Sequence, residues 1–180
     1  MTPALHIYVY REGLLARFGH DLRLTVPRFE VTLRGDRVTA WFDVGSVRVD
    51  GAATGEKVDP TRLSEADKTK IQAAIAGEIL DVARFPKVTL EGDVTFPGPA
   101  VRARLTMKGR TADEEIPVSR VPGLLRVNTV ITPSRWGITP YKTLAGAIRL
   151  QDRWRIQLYL PWDPPLDALR GADKTWVGVG

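Results

Sequence analysis

Apolar and polar residues alternate with a period of two along much of this 180-residue chain. In VRARLTMK, residues 101–108, the apolar positions are Val101, Ala103, Leu105 and Met107. Successive side chains of a strand point to opposite faces, so this pattern predicts a strand with one apolar and one polar face. The same alternation, or a shorter form of it, occurs in KVTLEGDVTF (87–96), EIPVS (115–119), LLRVNTVIT (124–132) and RWRIQLYL (153–160).

Two stretches change phase. In RVTAWFDVGSVRVD, residues 37–50, the apolar positions shift by one after Gly45-Ser46, which predicts a β-bulge there. In LRLTVPRFEVTL, residues 22–33, the shift falls around Pro27. Proline lacks the N–H that a ladder needs, so Pro27 predicts an edge or a bend.

One segment, about residues 64–80, has helical rather than strand periodicity. Ser64 followed by Asp67 is typical of an N-terminal capping box. The stripe formed by Ile71, Ala74, Ile75 and Ile79 predicts a face that packs on a core.

About eight strands and one inserted helix predict a mainly β domain, either a sandwich or a closed antiparallel barrel. The long strands favour an eight-stranded barrel, and we assign it to residues 1–161. Residues 162–180 form a C-terminal extension of different composition. The prolines at its start argue against a regular element, so we expect it to run over the surface, anchored by Trp162 and Trp176.

Composition restricts the function. The net charge of +5 favours anionic partners or simply aids solubility, and the absence of cysteine excludes disulfides and thiolate chemistry. No apolar run is long enough for a transmembrane helix, and the N-terminus lacks a secretory signal, so we expect a cytoplasmic protein. His6 and His20 are the two histidines, and no metal-ligand or catalytic motif accompanies them. We therefore expect no enzyme, no metal and no cofactor.

Several segments resemble one family, in the same order along residues 5–160. LTMKGRT with EEIPVS, IAGEILDVARFPKVTLEGDVTF, WFDVGSVRVD with Ser46, SRWGI, and GLLARFGHDLRLTV with His20 are similar to motifs of the YceI-like proteins. The resemblance implies a lipocalin-like eight-stranded barrel with an apolar interior. It also implies a long-chain ligand, since some members bind polyisoprenoids, quinones or related lipids.

The chain departs from the family pattern in three places. It lacks the export signal that many members carry. VDPTRLS stands where an Arg-Asp-x-His-Leu stretch is frequent, and Arg135 stands where an acidic residue often precedes Trp136-Gly137.

The leading hypothesis is therefore non-enzymatic binding or carriage of a long-chain lipid inside the barrel. The predicted interior residues are Phe18, Leu24, Val31, Val38, Phe42, Val88, Leu90, Val101, Ala103, Leu105, Met107, Trp136, Ile156 and Leu158. Candidate head-group contacts at the mouth are His20, Arg17 and Arg135, with Arg23 and Arg84 as further basic candidates. The structural alternative for His20 is a bond to backbone at a strand start, with Asp21 orienting the ring.

Three alternatives remain open. In the first, the barrel interior is filled by its own side chains. In the second, basic strand faces bind single-stranded nucleic acid, one around Arg102 and Arg104 and the other around Arg153 and Arg155. Those faces lack interleaved aromatic residues, which disfavours nucleic acid. The third alternative is a homodimeric interaction or scaffold protein that uses the tail.

Overall fold

The computed structural model describes residues 2–12, 19–143 and 148–179. Thirteen strands occur in these residues, and every strand pairing is antiparallel. The strands are β1 Ala4–Glu12, β2 Asp21–Thr25, β3 Phe29–Gly35, β4 Arg37–Asp43, β5 Arg48–Thr54, β6 Lys57–Asp59, β7 Lys87–Thr95, β8 Ala100–Met107, β9 Arg110–Val121, β10 Leu124–Ile131, β11 Lys142–Thr143, β12 Ile148–Pro161 and β13 Ala172–Gly178.

Twelve of these strands form one continuous, curled sheet in the order β13-β3-β4-β7-β8-β9-β10-β12-β1-β2-β5-β6, and β11 pairs with β12. The long strand β9 joins the two halves of the sheet, because its first part pairs with β8 and its last part with β10. The apolar sides of both halves face each other, and the core lies between them. We call this side the inner face and the opposite side the outer face.

The mainly antiparallel β fold is confirmed, but the expected closed barrel of eight strands is wrong, because twelve strands follow one path whose end strands, β13 and β6, do not pair with each other among the described residues. The phase changes that suggested defects inside long strands are strand boundaries. At Val44–Ser46 the chain makes a 3-10 turn, capped by the Asp43 carboxylate, which accepts a hydrogen bond from Gly45 N at 2.9 Å. There is no bulge at Gly45-Ser46, since β4 and β5 join different halves of the sheet. Pro27 likewise separates β2 from β3.

The one long helix of the described residues occurs where the sequence predicts it. The α-helix α1 spans Glu65–Ala74 and continues as a π-helical turn over Ile75–Ile79. The capping box forms, because Ser64 Oγ accepts from Asp67 N at 3.1 Å. The helix packs on β5, where Gln72 Oε1 accepts a hydrogen bond from Val49 N at 3.0 Å.

The C-terminal extension contains a regular element, contrary to our expectation of a surface tail. Strand β13 pairs with β3 from Ala172↔Gly35 to Gly178↔Phe29. Trp162 and Trp176 are buried against each other, with ring centroids 6.1 Å apart. The prolines of the extension precede β13 and therefore do not interrupt its ladder.

Within the described ranges, no helix combines the length and apolar character that a membrane crossing requires.

Candidate ligand cavity

An apolar cavity of about 200 Å³ lies between the inner faces of the two halves of the sheet. Among the described residues that line it, Thr129 is the one polar residue. The walls are Leu5, Ile7, Val26, Val31, Leu33, Val38, Ala40, Phe42, Val44, Val47, Leu80, Val88, Leu90, Val94, Val101, Leu105, Met107, Ile116, Val118, Leu125, Val127, Thr129, Ile131, Trp154, Ile156, Leu158, Leu160, Leu169 and Trp176.

Most of the residues predicted to face the interior line this cavity. They are Val31, Val38, Phe42, Val88, Leu90, Val101, Leu105, Met107, Ile156 and Leu158. Their strands place them there because alternate side chains share a face, and the sequence alternation identified that face. The structure brings these side chains together around empty space. Their contact with a ligand stays a prediction.

Ala103 is buried but does not belong to the cavity lining. It lies opposite Gly92 in the ladder between β8 and β7. A Cβ atom on Gly92 would come within 2.7 Å of the Ala103 Cβ atom, so the two strands are closely packed at this point. Ala103, predicted to face the interior, therefore packs against β7, and Ala40 is the alanine among the described lining residues.

Leu24 and Trp136 are also buried outside the lining. Leu24 lies between Ile7 and Val49 in the ladder, in the part of the sheet that α1 covers. Trp136 is completely buried, and its indole Nε1 donates to the carbonyl of Leu105 at 2.8 Å. This bond links the Pro133–Trp136 turn to the backbone of β8, so Trp136 has a structural role. The remaining predicted interior residue, Phe18, is outside the described residues.

The sequence analysis missed many wall residues, among them three groups. Leu5 and Ile7 come from β1, whose alternation is visible in ALHIYVY but was not used. Ile116 and Val118 belong to a strand that was recognised without assigning its inner face. Leu169 and Trp176 come from the extension, and no local pattern indicates that its residues reach the cavity.

None of the described head-group candidates lines the cavity. Arg135 pairs with the Glu114 carboxylate, donates to the carbonyl of Asp113 at 2.8 Å and lies over the Trp136 ring. Arg23 bonds Asp50 on the outer face at 2.6 Å. Arg84 is exposed beside Asp81, and Arg17 lies outside the described residues.

His20 directly precedes β2, as its match to the early family histidine implies. Among the described residues, no hydrogen bond joins the Asp21 carboxylate to the His20 ring. The Asp21 carboxylate instead accepts a hydrogen bond from the backbone N of Arg11 at 3.0 Å, which links β1 to the start of β2.

The other histidine belongs to a polar cluster on the outer face of β1, β2 and β5. Thr25 donates its hydroxyl to Asp50 at 2.6 Å, and Arg23 bonds the same carboxylate oxygen. The hydroxyl has one proton, so Thr25 Oγ1 accepts from His6 Nδ1 at 3.1 Å. Burial lowers the pKa of His6, as does the Arg23 charge, and the opposing effect of Asp50 is smaller. The cluster therefore favours neutral His6.

No group of three or more potential metal-ligating side chains (His, Cys, Asp or Glu) occurs in the described part of the chain.

Three of the segments that resemble the family pack together at one place near the cavity, which we call the joint. Lys108 and Gly109 both have positive φ and form the tight turn between β8 and β9. A Cβ atom on Gly109 would lie 2.9 Å from the Phe85 ring. Gly137, also at positive φ, leaves room for the Arg110 guanidinium. LTMKGRT, ARFPK and SRWG are therefore segments that pack on one another.

Comparison with known proteins gives one family and several structures. A model of the YceI-like domain matches residues 17–160. The structure of Burkholderia cenocepacia BcnA has a TM-score of 0.58 at 14% identity, covering 87% of this chain and 94% of that one. A polyisoprenoid-binding domain from Saccharophagus degradans, implicated in plant cell wall breakdown, has a TM-score of 0.55 at 12% identity, covering 91% and 94%.

At these identities the two structures show a shared fold. No curated protein sequence matches this chain. The domain match spans well over half of the 180 residues and includes every motif that meets at the joint described above. The chain therefore belongs to the YceI-like family.

Proposed function

We propose that this protein binds a slender apolar chain, of the polyisoprenoid or related lipid type, inside the cavity, without converting it chemically. The observation that carries this proposal is a cavity whose wall residues, within the described ranges, are all apolar except Thr129. Such walls offer a ligand no charge and almost no hydrogen bond, so recognition rests on shape and on removal of apolar surface from water.

The small size of the cavity favours a slender chain over a bulky molecule. Its volume of about 200 Å³ is below the roughly 300–1,000 Å³ of ordinary small-molecule pockets. Yet nine strands contribute to its walls, from β1 to β13. A ligand inside it is therefore in contact with apolar side chains from most parts of the sheet. Burying a chain there contributes about 25 cal/mol for each Å² of apolar surface removed from water.

The Saccharophagus degradans structure supports this ligand class, since that protein is described as a polyisoprenoid-binding domain. A non-enzymatic role is supported by the described lining, because it holds no acid or base that could activate its one hydroxyl, that of Thr129. The alternative of an interior filled by its own side chains is weakened by the cavity.

The nucleic-acid alternative is weakened by the charges of the outer face. Arg102 lies 3.5 Å from Glu115, and Arg104 lies 3.7 Å from Glu91, on neighbouring strands. Paired charges of opposite sign form no continuous positive groove for a phosphate backbone. The tail-dependent dimer is weakened because Trp162 and Trp176 are buried in this chain's own core.

The test fills the cavity from its wall. Ala40 lines the cavity, whereas its neighbour Thr39 is exposed on the outer face of the same strand. We expect Ala40→Trp to lose binding of farnesol and of a long polyprenol, measured by native mass spectrometry after delipidation. Thr39→Trp is the matched control and should bind as the original protein does.

Two outcomes would count against this function. If the original protein binds neither alcohol, the cavity is not a site for prenyl chains. If Ala40→Trp is folded by circular dichroism and binds both alcohols unchanged, the ligand lies elsewhere.

A further inference from the structure

A second polar cluster lies on the outer face of the sheet, on the side of β12 that faces away from the cavity. Gln157 is 2% exposed, although it is polar and belongs to the outer face. Its Nε2 donates to Glu56 Oε1 at 2.9 Å. Arg155 Nη2 donates to the same oxygen at 2.5 Å, and Arg155 Nε donates to Asn128 Oδ1 at 2.9 Å.

Glu56 reaches this cluster because a hairpin folds across the sheet. It occupies the turn between β5 and β6, and β2 and β1 lie between β5 and β12 in the sheet order. Neighbouring strands are about 4.8 Å apart, so β5 and β12 are roughly 14 Å apart in the sheet. The tip of the hairpin must therefore lie over the outer faces of β2 and β1. Gly51 permits the fold, since a Cβ atom there would lie 2.6 Å from the Asp59 carbonyl oxygen.

Arg126 is the unsatisfied member of the cluster. Its Nε is buried and has no hydrogen-bond partner among the described residues, and its guanidinium has no ion pair there. A buried donor without an acceptor is uncommon and calls for a water or an ion. Arg126 precedes Asn128 by two residues on the same outer face of β10, and Asn128 lies opposite Gln157 in the ladder with β12.

The pKa of Glu56 indicates which charge the cluster stabilises. The hydrogen bond from Gln157, followed by that from Arg155, lowers the pKa of Glu56, and the Arg126 charge contributes further. The environment therefore stabilises a negative charge at this position. The Glu56 side chain is itself 58% exposed, so it can leave without breaking buried packing.

We propose that Arg126, Arg155 and Gln157 form an oxyanion site, that Glu56 occupies it as an internal anion, and that a phosphate group displaces Glu56. A phosphate carries up to two negative charges and three strong acceptor oxygens. It can accept from both arginines and the amide together, whereas Glu56 bonds Arg155 and Gln157 through one oxygen. The displacement frees the hairpin tip. This site is independent of the cavity ligand.

The first experiment is calorimetric titration of the full chain with inorganic phosphate at constant ionic strength. Removing the internal competitor in Glu56→Ala should tighten phosphate binding about five- to tenfold, the factor expected for an exposed ion pair with a further hydrogen bond. Glu56→Gln removes the charge and keeps the side-chain length, so its affinity should be intermediate. Arg126→Met should lose binding in both the original and the Glu56→Ala background.

Arg102→Gln is the matched control, because Arg102 is an outer-face arginine in the other half of the sheet. It should bind phosphate as the original protein does. The proposal is overturned if Glu56→Ala binds phosphate no more tightly than the original protein, or if Arg126→Met still binds it. Circular dichroism of each variant checks the fold, and Glu56→Gln decides the case if Glu56→Ala is unfolded.

A second measurement distinguishes displacement of Glu56 by a ligand from a purely structural contact between Glu56 and the sheet. Phosphate should accelerate hydrogen exchange in residues 52–59 of the original protein, because Glu56 is released. In Glu56→Ala this exchange should already be fast and insensitive to phosphate. Exchange in residues 52–59 that phosphate leaves unchanged in the original protein would show that Glu56 is not displaced.

The source of the phosphate group is resolved with vesicles. Flotation with phosphatidylcholine vesicles, with and without phosphatidic acid, tests a lipid head group. Retention that needs phosphatidic acid and Arg126 assigns a lipid phosphate. Binding of inorganic phosphate without such retention assigns a free phosphate. Absence of both overturns the site.

Discussion

The two faces of β12 are both largely covered, yet their chemistry is opposite. On the inner face Trp154, Ile156 and Leu158 line an apolar cavity. On the outer face Gln157 is almost completely buried, and Arg155 makes hydrogen bonds to Glu56 and Asn128. One strand thus separates a space with Thr129 as the one polar residue of its described lining from a cluster of directed polar contacts.

The two faces should respond differently to substitution. Apolar packing is non-directional, and a cavity offers room, so the inner face should tolerate added bulk where it borders empty space. A buried amide needs its specific partners, so the outer face should tolerate little change of chemistry. Four substitutions of decreasing expected effect test this difference.

The largest effect is expected at Trp176, an inner-face residue of β13. Trp176→Ala removes a wall residue that is 5% exposed and the donor of a 2.8 Å bond to Pro161 O. We expect it to reduce the free energy of unfolding by about 3–5 kcal/mol, measured by urea denaturation. Val177→Ala, on the opposite face and 47% exposed, is the control and should cost well below 1 kcal/mol. Equal costs would mean that β13 does not seal the wall.

The next effect distinguishes packed from open parts of the inner face. Ala103→Leu adds bulk opposite Gly92, where the strands are closely packed, and should cost about 1–3 kcal/mol. Ala40→Leu places the same bulk into the cavity and should leave the melting temperature nearly unchanged. If the two variants have the same melting temperature, the cavity does not extend to Ala40.

On the outer face, Gln157→Leu keeps the size of a nearly buried side chain and removes its hydrogen bond to Glu56. We expect a loss of about 1–2 kcal/mol in chemical denaturation, because the partners around it lose a donor. Asn128→Ala changes an exposed amide on the adjacent strand and should cost less than about 0.5 kcal/mol. A stability gain in Gln157→Leu would show that the outer face needs no polar residue there.

The smallest effect concerns pH and His6. Its pKa is lower in the folded protein than its ordinary value near 6.5, so the unfolded chain takes up the proton first as pH falls. The folding stability that His6 contributes is therefore present above about pH 6.5 and is lost as pH falls from there to the folded-state pKa. The slope cannot exceed about 1.4 kcal/mol per pH unit for one proton.

Urea denaturation between pH 7.5 and 5 measures this slope. His6→Gln should flatten it, and His20→Gln, which leaves His6 in place, should retain it. The same slope in His6→Gln and the original protein would assign it to other groups.

Local periodicity identified much of the cavity wall before the structure. The alternation in VRARLTMK assigns Val101, Leu105 and Met107 to one face, and the structure places all three in the wall. A strand cannot turn one side chain without turning its neighbours, so this prediction needs no knowledge of the partner strand. The Ser64–Asp67 cap and the family motifs are local in the same sense.

Strand number was harder, because a phase change has two local interpretations. The shift at Gly45-Ser46 fits a bulge inside one strand or a turn between two strands. The distinction rests on whether β4 and β5 have the same neighbours, and those neighbours are far away in sequence. For the same reason, the extension was mistaken for a surface tail, since β13 pairs with β3 about 140 residues earlier.

By itself, the sequence determined the mainly β class, the helix and its cap, the family, and which side of most strands is apolar. These follow from steric and hydrogen-bonding preferences of neighbouring residues. The tertiary structure decided the sheet order, the empty space beside Ala40 and the contact of Glu56 with Arg155 and Gln157, about 100 residues away. Such features depend on which distant segments meet. The free-energy difference between one set of pairings and another comes from packing throughout the core.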